Sequence, residues 1–198
     1  MPKTWRILDE SRESLAQGEG WPAFFPCAAV LVSCVAPGQR PNIIAVAGVG
    51  VCCRLPFTIG IAICRQDLSP STYRPRYSHE LIRDSGEFVV NLPPAGLQDA
   101  VNICGSVSGR DVDKFARAGL TPAPAQRVRA PIIAECPVNF ECVVRQTAEL
   151  GSHDWFMGEV VVVHVDDTIA AGRARLAWDY LPRLERIEPA AVSPEEER

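Results

Sequence analysis

The chain has 198 residues, 47% of them hydrophobic and 22% charged, with a net charge of −4. This is enough apolar material for one packed domain, and the acidic balance without a long Lys/Arg cluster excludes a nucleic-acid surface, which needs a basic footprint. No stretch reaches the roughly 18 apolar residues of a membrane span, and the first ten residues lack the apolar run of a signal peptide, so a cytoplasmic protein is expected.

In chain order, β-branched apolar runs predict strands at 28–35, 43–51, 57–64, 87–92, 138–148 and 155–165. Turn chemistry bounds them at Pro37-Gly38, Leu55-Pro56, Pro93-Pro94 and Leu150-Gly151. Two or three helices interrupt the series. One runs over 78–84, with Ser78 as its cap and Gly86 just past its end. A second covers 94–104, where Leu97, Ala100, Val101 and Cys104 fall at helical spacing. Asp111 could cap a third, carrying Phe115 inward. After Asp167 the pattern decays into a charged, irregular tail over 168–198. The expectation is a single domain over 1–198 with its core at about 26–167, mainly β with a few short helices and closed as a small antiparallel barrel.

A doubly wound sheet is excluded at its own fingerprint. Gly48-Val49-Gly50-Val51-Cys52-Cys53 begins like a dinucleotide turn, but Leu55-Pro56 stands where a helix should start. The eight cysteines include no C-x-x-C pair, so reduced thiols without a metal are expected. Adjacent Cys52 and Cys53 strain to bridge each other and are read as two separate thiols near a ligand.

The residues able to carry chemistry cluster in four places. The string Gly105-Ser106-Val107-Ser108-Gly109-Arg110-Asp111-Val112-Asp113-Lys114-Phe115 packs glycine, hydroxyl and basic groups ahead of a helix, which suits an anion. Either Arg110 or Lys114 could face it. Ser78 can cap its helix, donate to a phosphate, or both, and Arg74 offers a planar fork. The small-residue run from Ala45 through Ala47 and Gly48 to Val51 lets backbone approach a flat ring. Asn91 has two possible fates, a ligand contact or a turn. Among the histidines, His153 is the functional candidate, His164 is read as structural or solvent-facing, and His79 as a helix-surface residue or a phosphate neighbour. No G-x-S-x-G elbow supports a hydrolase.

The anion string, together with Gly86-Glu87-Phe88-Val89-Val90-Asn91-Leu92-Pro93 and the segment from Leu150 to Val160 that holds His153, resembles the flavin reductase-like family of flavoredoxin-type split barrels. The resemblance implies an FMN-binding split β-barrel, homodimeric, acting as an NAD(P)H-dependent flavin reductase with NADH or NADPH as a transient co-substrate. It implies a phosphate held by Arg74, Ser78, Ser108, Gly109, Arg110 and Lys114. The flavin ring would lie against Ala47, Gly48, Cys52, Cys53 and Asn91, and the nicotinamide beside His153. A flavoredoxin-like electron carrier, a flavin-binding module without turnover and a purely structural barrel are the other readings. A partner oxygenase or electron-transfer protein would take the reducing equivalents. Two segments depart from the family pattern: the long link from Cys64 to Arg74, which could cover the substrate side, and the end at Trp178 to Arg183.

Overall fold

The computed structural model describes residues 29–65, 75–167, 170–171 and 175–176. Its framework is an antiparallel seven-stranded sheet made of β1 (Val30–Cys34), β2 (Asn42–Val46), β3 (Val49–Arg54), β4 (Phe57–Cys64), β5 (Glu87–Leu92), β8 (Val138–Leu150) and β9 (His153–Val165). The strand order is β2-β1-β5-β8-β9-β4-β3, and the short strands β6 (Pro122–Ala123) and β7 (Ile132–Ile133) form a separate ribbon.

The run expected as one strand over 43–51 breaks at Ala47-Gly48, which sends β2 to one edge of the sheet and β3 to the other. The Ala62 amide donates to the Gly48 carbonyl at 2.7 Å, drawing the edges together and curling the sheet into a barrel. Only glycine permits this corner, because a Cβ at position 48 would lie 2.8 Å from the Ala62 Cβ.

β1 is buried along its whole length, which explains its unbroken apolar run. One set of its residues, including Val32, packs inside the barrel with Ile61, Phe88, Val138 and Phe156. The other set, including Leu31, meets Ile43, Val101, Phe115 and Ile133 beneath the helices.

Among the described residues three α-helices cover the barrel, and their starts differ from the sequence expectation. Helix α1 (Tyr77–Ser85) has Arg76 at its N-cap without a side-chain cap, so Ser78 lies inside the helix and is free for another role. Gly86 ends it with φ 69°, as its position predicts. The second helix is a 3₁₀ turn, Ala95–Leu97, that leads into α2 (Gln98–Ser106). Asp113, and not Asp111, caps α3 (Lys114–Ala118), accepting from the Ala116 amide at 3.2 Å. Beyond Asp167, Ala170–Ala171 pairs with Arg175–Leu176 where an irregular tail was expected. Arg74, most of the Cys64-to-Arg74 link and the rest of the tail lie outside the described residues.

A buried carboxylate ties the 126–128 segment to the sheet. Glu141 on β8 accepts from the amides of Gln126 at 2.8 Å, Arg127 at 2.7 Å and Val128 at 3.1 Å, and pairs with His164 Nε2 at 2.5 Å. Burial pushes this carboxyl up, but the Gln126 amide, His164 and the other two amides outweigh it and hold it below the usual glutamate range.

Candidate functional site

A cavity of about 620 Å³ opens between the β2–β3 corner, β4, the start of α1 and the segment joining α2 to α3. It gathers residues that are far apart in sequence, and they divide into a polar floor and a small-residue wall.

The floor consists of Asn42, Ser78 and Lys114, all three buried. Asn42 Nδ2 donates to Ser78 Oγ at 2.8 Å, and Ser78 also hydrogen-bonds the buried Cys34 thiol, whose pKa desolvation pushes up to about 12. Lys114 Nζ donates to the Cys104 carbonyl at the end of α2, at 2.8 Å. Burial lowers the Lys114 pKa to about 8, the neighbouring Cys104 and Cys34 sulfurs oppose that shift, and the Arg76 charge adds to it. Asn42 Oδ1 is buried with no hydrogen-bond partner, so this floor holds an unused polar atom.

Above the floor, the Ser108-Gly109-Arg110 turn runs along the cavity edge. A Cβ on Gly109 would come within 2.0 Å of Asn42 Oδ1, so the backbone can touch the floor here only through glycine. Gly109→Ala is therefore expected to push the turn off Asn42 and to lower stability by about 1–3 kcal/mol, measured by chemical denaturation. Arg110 is engaged elsewhere: it pairs with Glu80 at 2.7 Å, stacks 4.9 Å from the Tyr77 ring centroid and donates to the Pro75 carbonyl at 3.2 Å. It ties the turn to α1. Arg76 lines the same cavity and makes no salt bridge among the described residues.

The wall is Ala45, Val46, Ala47 and Gly48, faced by Ala62, Cys64 and His153. His153 is half-buried, with Nδ1 2.9 Å from the Ser152 hydroxyl. Desolvation and the Arg76 charge lower its pKa against the opposing pull of Asp154, which leaves a neutral imidazole at neutral pH.

Of the sequence candidates within the described residues, the cavity brings together Ala47, Gly48, Ser78, Ser108, Gly109, Arg110, Lys114 and His153. Four others lie elsewhere. Cys52 and Cys53 are exposed on β3 outside the cavity lining, because the break at Ala47-Gly48 carries β3 away to the far edge. Asn91 is buried in the sheet, its Nδ2 donating to the Leu31 carbonyl at 2.9 Å and its Oδ1 accepting from the Ile133 amide at 3.0 Å, so its amide is spent on structure. His79 is likewise buried, 2.7 Å from Asp154, and not on the helix surface. Asn42 and Arg76 are the site residues that sequence reasoning missed. For Arg76 the available signal was its position beside Pro75, at the start of the helix that presents Ser78.

Comparison with known proteins agrees with this geometry. The flavoredoxin of Desulfovibrio vulgaris (Miyazaki F) is 30% identical with a TM-score of 0.65, covering 87% of this chain and 84% of that one. Nitrilotriacetate monooxygenase component B from Bacillus cereus is 18% identical with a TM-score of 0.79, covering 95% of each chain. An FMN-binding protein from Thermus thermophilus, with bound 1-cyclohex-2-enone, is 22% identical with a TM-score of 0.67, covering 88% of this chain and 86% of that one. Among the described residues no helix is long and apolar enough to cross a membrane. The flavin reductase like domain matches residues 23–179, which spans the barrel and every wall of the cavity: the chain belongs to this family of flavin-linked oxidoreductases and folds, mainly in β-structure, as its split barrel.

Proposed function

We propose that the protein binds FMN in the 620 Å³ cavity and acts as an NAD(P)H-dependent flavin reductase, working as a homodimer. The observation that carries this reading is the pairing of a cationic, donor-rich floor with a wall of small residues in one cavity. The donor set suits a phosphomonoester. Lys114 and Arg76 supply charge, Ser78 a hydroxyl and the Ser108-Gly109-Arg110 turn its backbone amides. Arg74, which precedes Pro75 in the sequence and lies outside the described residues, belongs to the same proposed set. Asn42 supports this role, because its Nδ2 donates to Ser78 Oγ at 2.8 Å and leaves the single Ser78 O–H free to donate to the phosphate.

Once bound, the flavin supplies the two-electron chemistry, and the chain supplies binding, orientation and exclusion of competing acceptors. Ala47 and Gly48 offer main-chain groups to the polar edge of the ring. Neutral His153 can hydrogen-bond a nicotinamide carboxamide without adding charge near the developing cation. His153→Ala is expected to slow hydride transfer ~100-fold while leaving FMN affinity nearly unchanged. Anaerobic stopped-flow bleaching of bound FMN with NADH and with NADPH measures it, and no bleaching by either would end the reductase reading. The 30% identity to a flavoredoxin favours a second reading, an electron carrier reduced by a protein donor. A protein donor in the same apparatus distinguishes the two, and a partner oxygenase or electron-transfer protein would be the acceptor in either case.

A further inference from the structure

Two thiols that the cavity does not use share one face of the sheet. In the β3–β4 pair, Val51 stands opposite Ile59 and Cys53 opposite Thr58, so the register slips by one residue at Cys52. Cys53 and Cys52 are both set against Thr58 in this bulge. In a regular strand, neighbouring side chains point to opposite faces. Here they do not. Cys53 shares the face of its partner Thr58, the face that also carries Gly60, Ala62 and Cys64 by period two along β4. Trp155 pairs with Ala62 and so lies on that face too. Its indole covers Gly60, where a Cβ would come within 2.1 Å of Nε1, and Nε1 donates to Cys52 Sγ at 3.4 Å. Both cysteines are exposed and both occupy the face whose next residues, Ala62, Cys64 and His153, line the cavity.

We propose that Cys52 and Cys53 form a dithiol–disulfide couple that takes electrons from the reduced flavin and passes them to a disulfide substrate. The proposal rests on the FMN reading above. A bridge between adjacent, exposed cysteines is strained and open to attack, which suits a carrier of electrons and not a structural staple. Two steps close the cycle. In the first, the Cys52–Cys53 S–S bond breaks as two electrons and two protons arrive from reduced flavin, leaving two thiols and oxidised flavin. In the second, one thiolate attacks the substrate disulfide, a mixed disulfide forms with loss of one substrate thiol, and the other cysteine displaces the second thiol as the internal bridge re-forms. Trp155 holds Cys52 over Gly60, on the sheet face that continues along β4 through Ala62 to the cavity wall.

The test begins with wild-type protein treated with oxidised glutathione and mapped by peptide mass. A Cys52–Cys53 peptide lighter by two hydrogens and free of glutathione is expected, and a stable glutathione adduct on each cysteine overturns the proposal. The bridged protein is then mixed anaerobically with one equivalent of photoreduced FMN. Flavin absorbance should return as two thiols per chain are recovered, and Cys53→Ser, checked for fold by circular dichroism, should show neither change. A separate FMN titration keeps the two readings apart. Binding without electron passage overturns the dithiol couple alone, and no binding overturns the flavin reading and this proposal with it.

Discussion

Lys114→Met is expected to make the ligand-free protein more stable while weakening FMN binding at least tenfold. The two effects share one cause. Lys114 is buried on the cavity floor with a pKa lowered to about 8, and its ordinary value in an unfolded chain is about 10.4. The folded state therefore holds this proton less tightly than the unfolded state does, so the cost of burying the ammonium is present below pH 8 and is relieved as pH rises through that value. A methionine fills similar space without the charge, and a gain of about 1–3 kcal/mol at neutral pH should follow, offset in part by the lost bond to the Cys104 carbonyl. Binding moves the other way, since charge-assisted bonds contribute about 1.5–3 kcal/mol. Wild-type FMN affinity should fall as pH rises through about 8, while the variant shows no transition there. Both should share any change near pH ~6 that belongs to the phosphate itself. Fluorescence titration across pH and thermal melts of the apoprotein check both halves, and unchanged affinity in the variant would remove Lys114 from the site.

The second large effect concerns stability alone. Glu141→Ala is expected to cost about 3–5 kcal/mol, because it leaves the amides of Gln126, Arg127 and Val128 and the His164 ring without their acceptor. Glu141→Gln should fall between the two, since one amide oxygen remains where two carboxylate oxygens were. The pH dependence has a definite sign. The folded-state carboxyl sits below the ordinary glutamate range, so its contribution is complete above that range and is lost as pH falls through the folded value. Urea denaturation of the three proteins at neutral and acid pH measures it, and a Glu141→Ala midpoint equal to wild type would show that the 126–128 segment adds nothing.

The legible parts of the fold were those decided locally. β-branched runs and turn residues marked the long strands, and Gly86 marked the end of α1, because both signals act within a few residues. What escaped depended on neighbours distant in the chain. The break at Ala47-Gly48 is imposed by the approach of Ala62, and nothing in an apolar run announces it. For that reason Cys52 and Cys53 were expected at a ring edge and are found on the far edge strand. Asn91 was ambiguous in isolation, and its partners come from β1 and β7. Asn42 gave no sign at all, since its role rests on contact with Gly109 and Ser78.

The closure of the sheet also bears on how the molecule forms. β8 and β9 make a hairpin joined by two residues, Gly151 and Ser152, whereas β4 must find β9 across the whole middle of the chain. Local pairing loses little loop entropy and distant pairing much more, so the hairpin should form early and the β4–β9 seam late. His153, Ala62 and Cys64 straddle that seam, which makes the cavity one of the last features to exist. A ligand in it should then slow unfolding without speeding refolding, because the transition state would not yet contain the place where the ligand binds.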